Sequence, residues 1–95
     1  MVTYELTVIL RNKETDSLIE KTKEILAKHG TTIQSDNSLG VKRLAYQIDG
    51  ENEGYYLFMN VEIPGESVKK IISDFRLNSD ILRYMFIKTK KAASA

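Results

Sequence analysis

The sequence predicts an α+β sandwich of order βαββαβ, a four-stranded antiparallel sheet with two helices on one face. Three observations carry that expectation. Residues 2–11 alternate in polarity with the period of a strand. Apolar side chains recur at helical spacing in two later stretches. Residues 39–60, LGVKRLAYQIDGENEGYYLFMN, are two strand-like runs joined by a polar, glycine-containing hinge, which is the pattern of a β-hairpin.

Each element follows from its own residues. In the first strand Val2, Tyr4, Leu6, Val8 and Leu10 share one side, and Thr3, Glu5, Thr7, Ile9 and Arg11 the other. Residues 12–17 carry helix-start chemistry: Thr15 or Ser17 can cap, and Ser17 with Glu20 fits a capping box. Leu18, Ile19, Thr22, Ile25 and Leu26 form the inward stripe of that helix, and Gly30 after His29 supplies a left-handed stop. Residues 31–49 are extended but slip phase. Ile33, Leu39 and Val41 are odd, while Leu44, Tyr46 and Ile48 are even, so a bulge or break is expected between residues 35 and 43.

Alternation resumes at Tyr55, Leu57, Met59, Val61 and Ile63, and Pro64-Gly65 ends the third strand. Val68, Ile71, Ile72 and Phe75 mark a shorter second helix, and Asn78-Ser79-Asp80 a turn. Residues 81–88 form the last strand. Both its sides are apolar, and Arg83 on the odd side points Leu82, Tyr84 and Phe86 inward. The first and third strands are expected at the centre of the sheet, the second and fourth at its edges. Residues 1–91 then form one domain, with 92–95 a short flexible tail and fraying expected from residue 89 onward.

Composition narrows the function. A chain of 95 residues buries a little over ~60% of its unfolded surface, enough for one modest core. The lack of cysteine rules out disulfides, thiolate metal sites and thiol nucleophiles. No apolar run approaches ~20 residues and the first residues alternate, so a soluble cytoplasmic protein is expected, with no membrane contact. Net charge is only +1, yet from Arg76 onward five cations face one anion. A balanced chain that binds a polyanion must concentrate its cations or take affinity from a partner.

Two helices cover one side of the sheet only. The open side is expected to carry Glu5, Thr7, Asn60 and Arg83 around an apolar group, Ile9, Tyr56, Phe58, Met85 and Ile87. A patch of that kind marks a partner site, and these five residues are the candidate protein-partner face. Aromatics on central strands also serve RRM domains in stacking bases, but the RRM signature is missing, since the third strand reads GYYLFMNV.

The 49–54 segment has acids at alternate positions and a sixth-position glycine, like the start of an EF-hand loop. Position twelve is Asn60, however, and flanking helices are absent, so it reads as a hairpin turn. His29 has no second His or Cys to make a metal site, and sits at the negative end of a helix dipole. No nucleophile with an adjacent base and no phosphate-cradling loop can be assembled, so neither catalysis, a cofactor nor a small-molecule substrate is expected. Lys42 and Arg43 lie at the bend of an edge strand, where charge alone discourages sheet-to-sheet aggregation.

The segment Leu39-Gly40-Val41-Lys42-Arg43-Leu44-Ala45-Tyr46-Gln47-Ile48 resembles the G-x-[KR]-[KR]-L-A-Y-x-I stretch of the bacterial small-subunit ribosomal protein six family. Tyr4-Glu5, Gly54-Tyr55-Tyr56, Phe75-Arg76-Leu77-Asn78 and Leu82-Arg83 extend the likeness over residues 2–91. Departures are Val2 and Thr3 in place of a frequent Arg, Leu39 in place of Trp, and Gln47 in place of Pro. The resemblance implies a ferredoxin-like fold that assembles with ribosomal protein eighteen of the small subunit. The pair then binds the central domain of 16S rRNA, without catalysis or cofactor. On that reading the RNA-side cations are Lys42, Arg43, Arg83, Lys88, Lys90 and Lys91. Two alternatives from other classes remain at this point: an independent RRM-like binder of single-stranded RNA, and a dimeric ferredoxin-like module that binds a small effector.

Overall fold

The computed structural model describes residues 2–89. In chain order these form β1 (Val2–Leu10), α1 (Thr15–Lys28), β2 (Thr32–Ile48), β3 (Glu51–Ile63), a single 3-10 turn (Gly65–Ser67), α2 (Val68–Leu77) and β4 (Ile81–Lys88). The sheet runs β2-β3-β1-β4 with every neighbouring pair antiparallel, so β1 and β3 are central as expected.

Alternation explains the core. Leu6, Val8 and Leu10 of β1 and Leu57, Met59, Val61 and Ile63 of β3 point to one side, where they meet Leu18 and Leu26 of α1 and Ile71 and Phe75 of α2. Each such side chain contributes about 1.5–3 kcal/mol by leaving water, so this layer dominates the stability. Of the β4 residues expected to face inward, Tyr84 and Phe86 pack on the core, while Leu82 falls at the register slip and is not part of it. Tyr84 and Phe86 pack on Phe75 with ring centroids 5.6 and 6.2 Å apart. Ile81 is buried with them because the β1–β4 register skips from Ile9 opposite Arg83 to Leu10 opposite Ile81. That slip moves an odd-numbered residue to the core side.

Two ends differ from expectation. The capping box does not form, because α1 begins at Thr15 and Ser17 lies inside its first turn; no side chain caps the helix. A tight turn, with the Lys13 amide donating to the Arg11 carbonyl at 2.8 Å, delivers the chain to the helix early through Glu14, whose φ is 50°. The other end follows the sequence. Gly30 has φ 78°, its amide bonds Ala27 and the Thr31 amide bonds Leu26, a Schellman closure. Thr89 is not frayed either, since its amide donates to the Thr3 carbonyl at 2.9 Å. The tail at 92–95 lies outside the described residues.

The two helices are joined at their ends by Asp74 of α2, whose Oδ2 lies 2.8 Å from His29 Nε2 and 3.6 Å from Lys28 Nζ. The hydrogen bond to His29 is the main cause that holds the Asp74 carboxyl below its ordinary 3.8, helped by the charge of Lys28. A depressed folded-state value stabilises the protein above the ordinary carboxylate range, and that gain disappears as pH falls through the depressed value. Asp74→Asn should therefore lower stability near neutral pH and flatten the acid limb of the curve below about pH 4. Urea midpoints at a series of pH values test this, and identical acid limbs would reject it.

Candidate protein and nucleic-acid interface

Sheet register fixes which side chains share the uncovered face. One row across it is Arg83, Ile9, Tyr56 and Gly40; the next is Met85, Thr7, Phe58 and Asn37; the third is Ile87, Glu5, Asn60 and Ser35. All five residues of the expected partner face therefore lie together. Met85 and Ile87 are 53% and 49% exposed on edge strand β4, while Ile9, Tyr56 and Phe58 are half-buried at the centre.

The phase slip in β2 is also real. Register breaks fall between Ile33 and Ser35 and between Ser38 and Gly40, the second with Gly40 at φ 85°. A third, unforeseen break has a larger effect. Arg43 pairs with Glu53 and Ile48 with Glu51, so Leu44, Ala45, Tyr46 and Gln47 stand against Asn52 alone. The surplus length lets the end of the hairpin bend across the sheet. We call residues 42–53 the arm. Its tip is the pair Asp49-Gly50, with φ 50° and 81°, as a two-residue type I′ turn requires. Strand pairing thus resumes at Glu51 and the polar hinge is shorter than the sequence indicates.

The bend places Leu44 in a position that its sequence does not announce. It is buried but does not belong to the main core cluster. It lies instead on the open face over Gly54, where a Cβ would fall 3.5 Å from Leu44 Cδ2 and 2.5 Å from Ile9 Cγ2. Further along, the Tyr46 hydroxyl meets the Arg83 guanidinium, whose carbon stands 5.6 Å from the Tyr46 ring centre. Arg83 belongs to β4, at the opposite edge from β2. The arm therefore crosses the face from one edge to the other.

Arg11 fastens the arm from below. Its guanidinium donates to Glu51 and to Asp49, both at 2.6 Å, to the Ser79 carbonyl at 3.1 Å, and lies 3.3 Å from Asp80. Hydrogen bonds to Asp49 and then Glu51 raise its already high pKa, so the Arg11 guanidinium stays charged at any working pH. Sequence reading gave Arg11 only a place on the polar side of the first strand. Its partners lie about 40 and 70 residues away along the chain, and no local spacing reveals them. Arg11→Ala should cost about 1–2 kcal/mol, less than a buried cluster would, because the carboxylates are partly solvated. Chemical denaturation measures this, and amide exchange at residues 44–52 should accelerate more than in the core.

The candidate cations do not converge on one spot. Lys42 lies on the open face, 6.0 Å over the Tyr56 ring, and Arg83 lies on the same face. Arg43, opposite Glu53, and Lys88, opposite Tyr4, project from the other side of their strands. Lys90 and Lys91 lie outside the described residues. Among the described residues, the ion pairs belong to Arg11, Lys23, Lys28 and His29, and none involves these four candidates. Among the described residues there is also no cluster of three or more His, Cys, Asp or Glu placed to hold a metal. Among the described residues no helix is long and apolar enough to cross a membrane.

A ferredoxin-like sandwich with one helix-free face, cations that form no ion pair among the described residues and an apolar patch defines a domain that works through its surfaces. The family model described as Ribosomal protein S6 matches residues 3–88, and the chain belongs to that family. It is therefore a structural protein of the small ribosomal subunit of bacteria and not an enzyme. The small ribosomal subunit protein bS6 of Vesicomyosocius okutanii is 35% identical over 92 residues, covering 94% of this chain and 81% of that one. The counterpart from Caldanaerobacter subterraneus is 31% identical over 86 residues, 90% of each chain. That from Bartonella bacilliformis is 27% identical over 95 residues, and this chain spans 70% of its length. In fold, the chain is similar to the crystal structure of 30S ribosomal protein S6 from Thermotoga maritima, with TM-score 0.84 at 22% identity over 93% of this chain and 87% of that one.

Proposed function

We propose that this protein joins the small subunit as half of a pair. It docks a companion, ribosomal protein eighteen of the small subunit, on Ile9, Tyr56, Phe58, Met85 and Ile87, and the two together hold the central domain of 16S rRNA. Residues 1–91 act as the single domain that does this. Lys42, Arg43, Arg83 and Lys88, with Lys90 and Lys91 beyond the described residues, supply the phosphate contacts. The observation that supports this most is the pairing of a +1 net charge with an apolar sheet face that no helix covers. Few phosphates can be neutralised by so balanced a chain, so its own RNA affinity is weak and salt-sensitive. An apolar contact is indifferent to salt and supplies what the cations lack. Joint binding is then cooperative, with a coupling of about 1–3 kcal/mol.

Titrating a central-domain rRNA fragment with the protein alone, the companion alone and both together tests the proposal. The mixture should bind about 5–150-fold more tightly than either component predicts. Tight, salt-steep binding by the isolated protein would overturn it.

A further inference from the structure

We propose that Tyr46 and Arg83 form a receptor for one unpaired nucleotide, the base stacking on the exposed Tyr46 ring and its phosphate resting on Arg83 and Lys42. This deepens the RNA-binding reading above and rests on it, because it names what one part of that surface would hold.

Three observations converge on this. Tyr46 is the most exposed aromatic ring among the large exposed apolar residues, at 58%, although it is held at both ends of its reach. Its position is fixed by the bent arm on one side and by the hydrogen bond to Arg83 on the other, so no rotamer search precedes stacking. The Arg83 guanidinium sits at the hydroxyl end of the ring, with its carbon 5.6 Å from the centre. That polarises the ring and leaves the remaining guanidinium donors without a carboxylate partner among the described residues. Lys42 is the third part. It lies on the same face of the same arm, exposed, above Tyr56. Glu5 lies two rows from Arg83 on that face, and the arm's own Asp49 and Glu51 are engaged by Arg11. A planar π-surface with two uncompensated cations beside it suits a base and its phosphate better than an apolar protein side chain. It also differs from the Phe58, Met85 and Ile87 end of the face, which has no cation in its central row.

A purely structural alternative is that Tyr46 is only a strut for the arm. The test separates the two. A short single-stranded oligouridine carrying 5-iodouridine is irradiated with the full-length protein, and the same protein with its companion is titrated with the central-domain fragment. Crosslinking is expected at the peptide containing Tyr46 and is lost when the oligonucleotide is made duplex. Tyr46→Ala should weaken fragment binding by about 5–150-fold with the salt slope unchanged, because a stacked base carries no counterion. Tyr46→Phe, which keeps the π-face but loses the hydroxyl tether, should lose clearly less than Tyr46→Ala, and Tyr46→Leu, which fills space without a π-face, should bind like Tyr46→Ala. Lys42→Ala should instead flatten the salt slope by about one counterion. Wild-type affinity in Tyr46→Leu, or a loss confined to companion binding without RNA, would overturn the proposal. Because the oligonucleotide needs no companion, failure of joint assembly alone would count against the pair model and not against this site.

Discussion

Replacing Phe58 with aspartate is expected to weaken companion binding by at least about 30-fold, some 2 kcal/mol or more. Phe58 stands at the centre of the open face, with Thr7 and Asn37 as its strand neighbours and Met85 beyond Thr7. No cation shares that row, so a buried carboxylate would have nothing to offset its lost hydration. The fold should survive, because Phe58 is half-buried and points away from the cluster around Phe75. Calorimetric titration of the companion, alongside a melting curve for the free protein, checks both statements. Affinity within twofold of wild type would place the companion elsewhere.

The largest loss of stability outside the main core is expected from Gly54→Val, about 3 kcal/mol, with Gly54→Ala costing roughly half of that. Gly54 has no unusual φ, and its demand is for space. A Cβ there would fall 2.5 Å from Ile9 Cγ2 and 3.4 Å from the Leu10 carbonyl oxygen. Ile9 is β-branched and cannot swing aside freely on a strand. The carbonyl cannot move without disturbing the central β1–β3 ladder. Relief must come from lifting the arm, which removes Leu44 from its cover and Tyr46 from Arg83. Ile9→Ala in the same chain should recover part of the loss, and a double-mutant cycle from urea midpoints measures that coupling. Strict additivity would show that the contact between them is slack.

Local period carried most of the fold. The alternation in residues 2–11 and 55–63 named both central strands and their buried sides, and the single charge of Arg83 decided the facing of β4. The odd-to-even switch in β2 located a bulge, because a strand cannot change sides without one. What stayed hidden depended on non-local contacts. Ser17 and Glu20 satisfy a capping box in sequence, yet the turn after β1 starts α1 ahead of them. Arg11 looked like one more outward residue of the first strand, since nothing nearby announces three distant carboxylates. Leu44 and Tyr46 share a parity with Ile48, which implied a common face along a straight ribbon. The four-against-one register beside Asn52 bends that ribbon, so Leu44 is buried while Tyr46 is left exposed.

The placement of β1 also bears on how the chain is made. It is made before every other strand of the sheet, yet both its neighbours come late, β3 from residue 51 and β4 from residue 81. During synthesis Val2–Leu10 must wait with two unfilled edges, and the second is closed only when Ile81–Lys88 has left the exit tunnel. A nascent chain arrested short of residue 81 should therefore offer a half-finished sheet to chaperones, and release of the last eight strand residues should convert it to a protease-resistant form in one step.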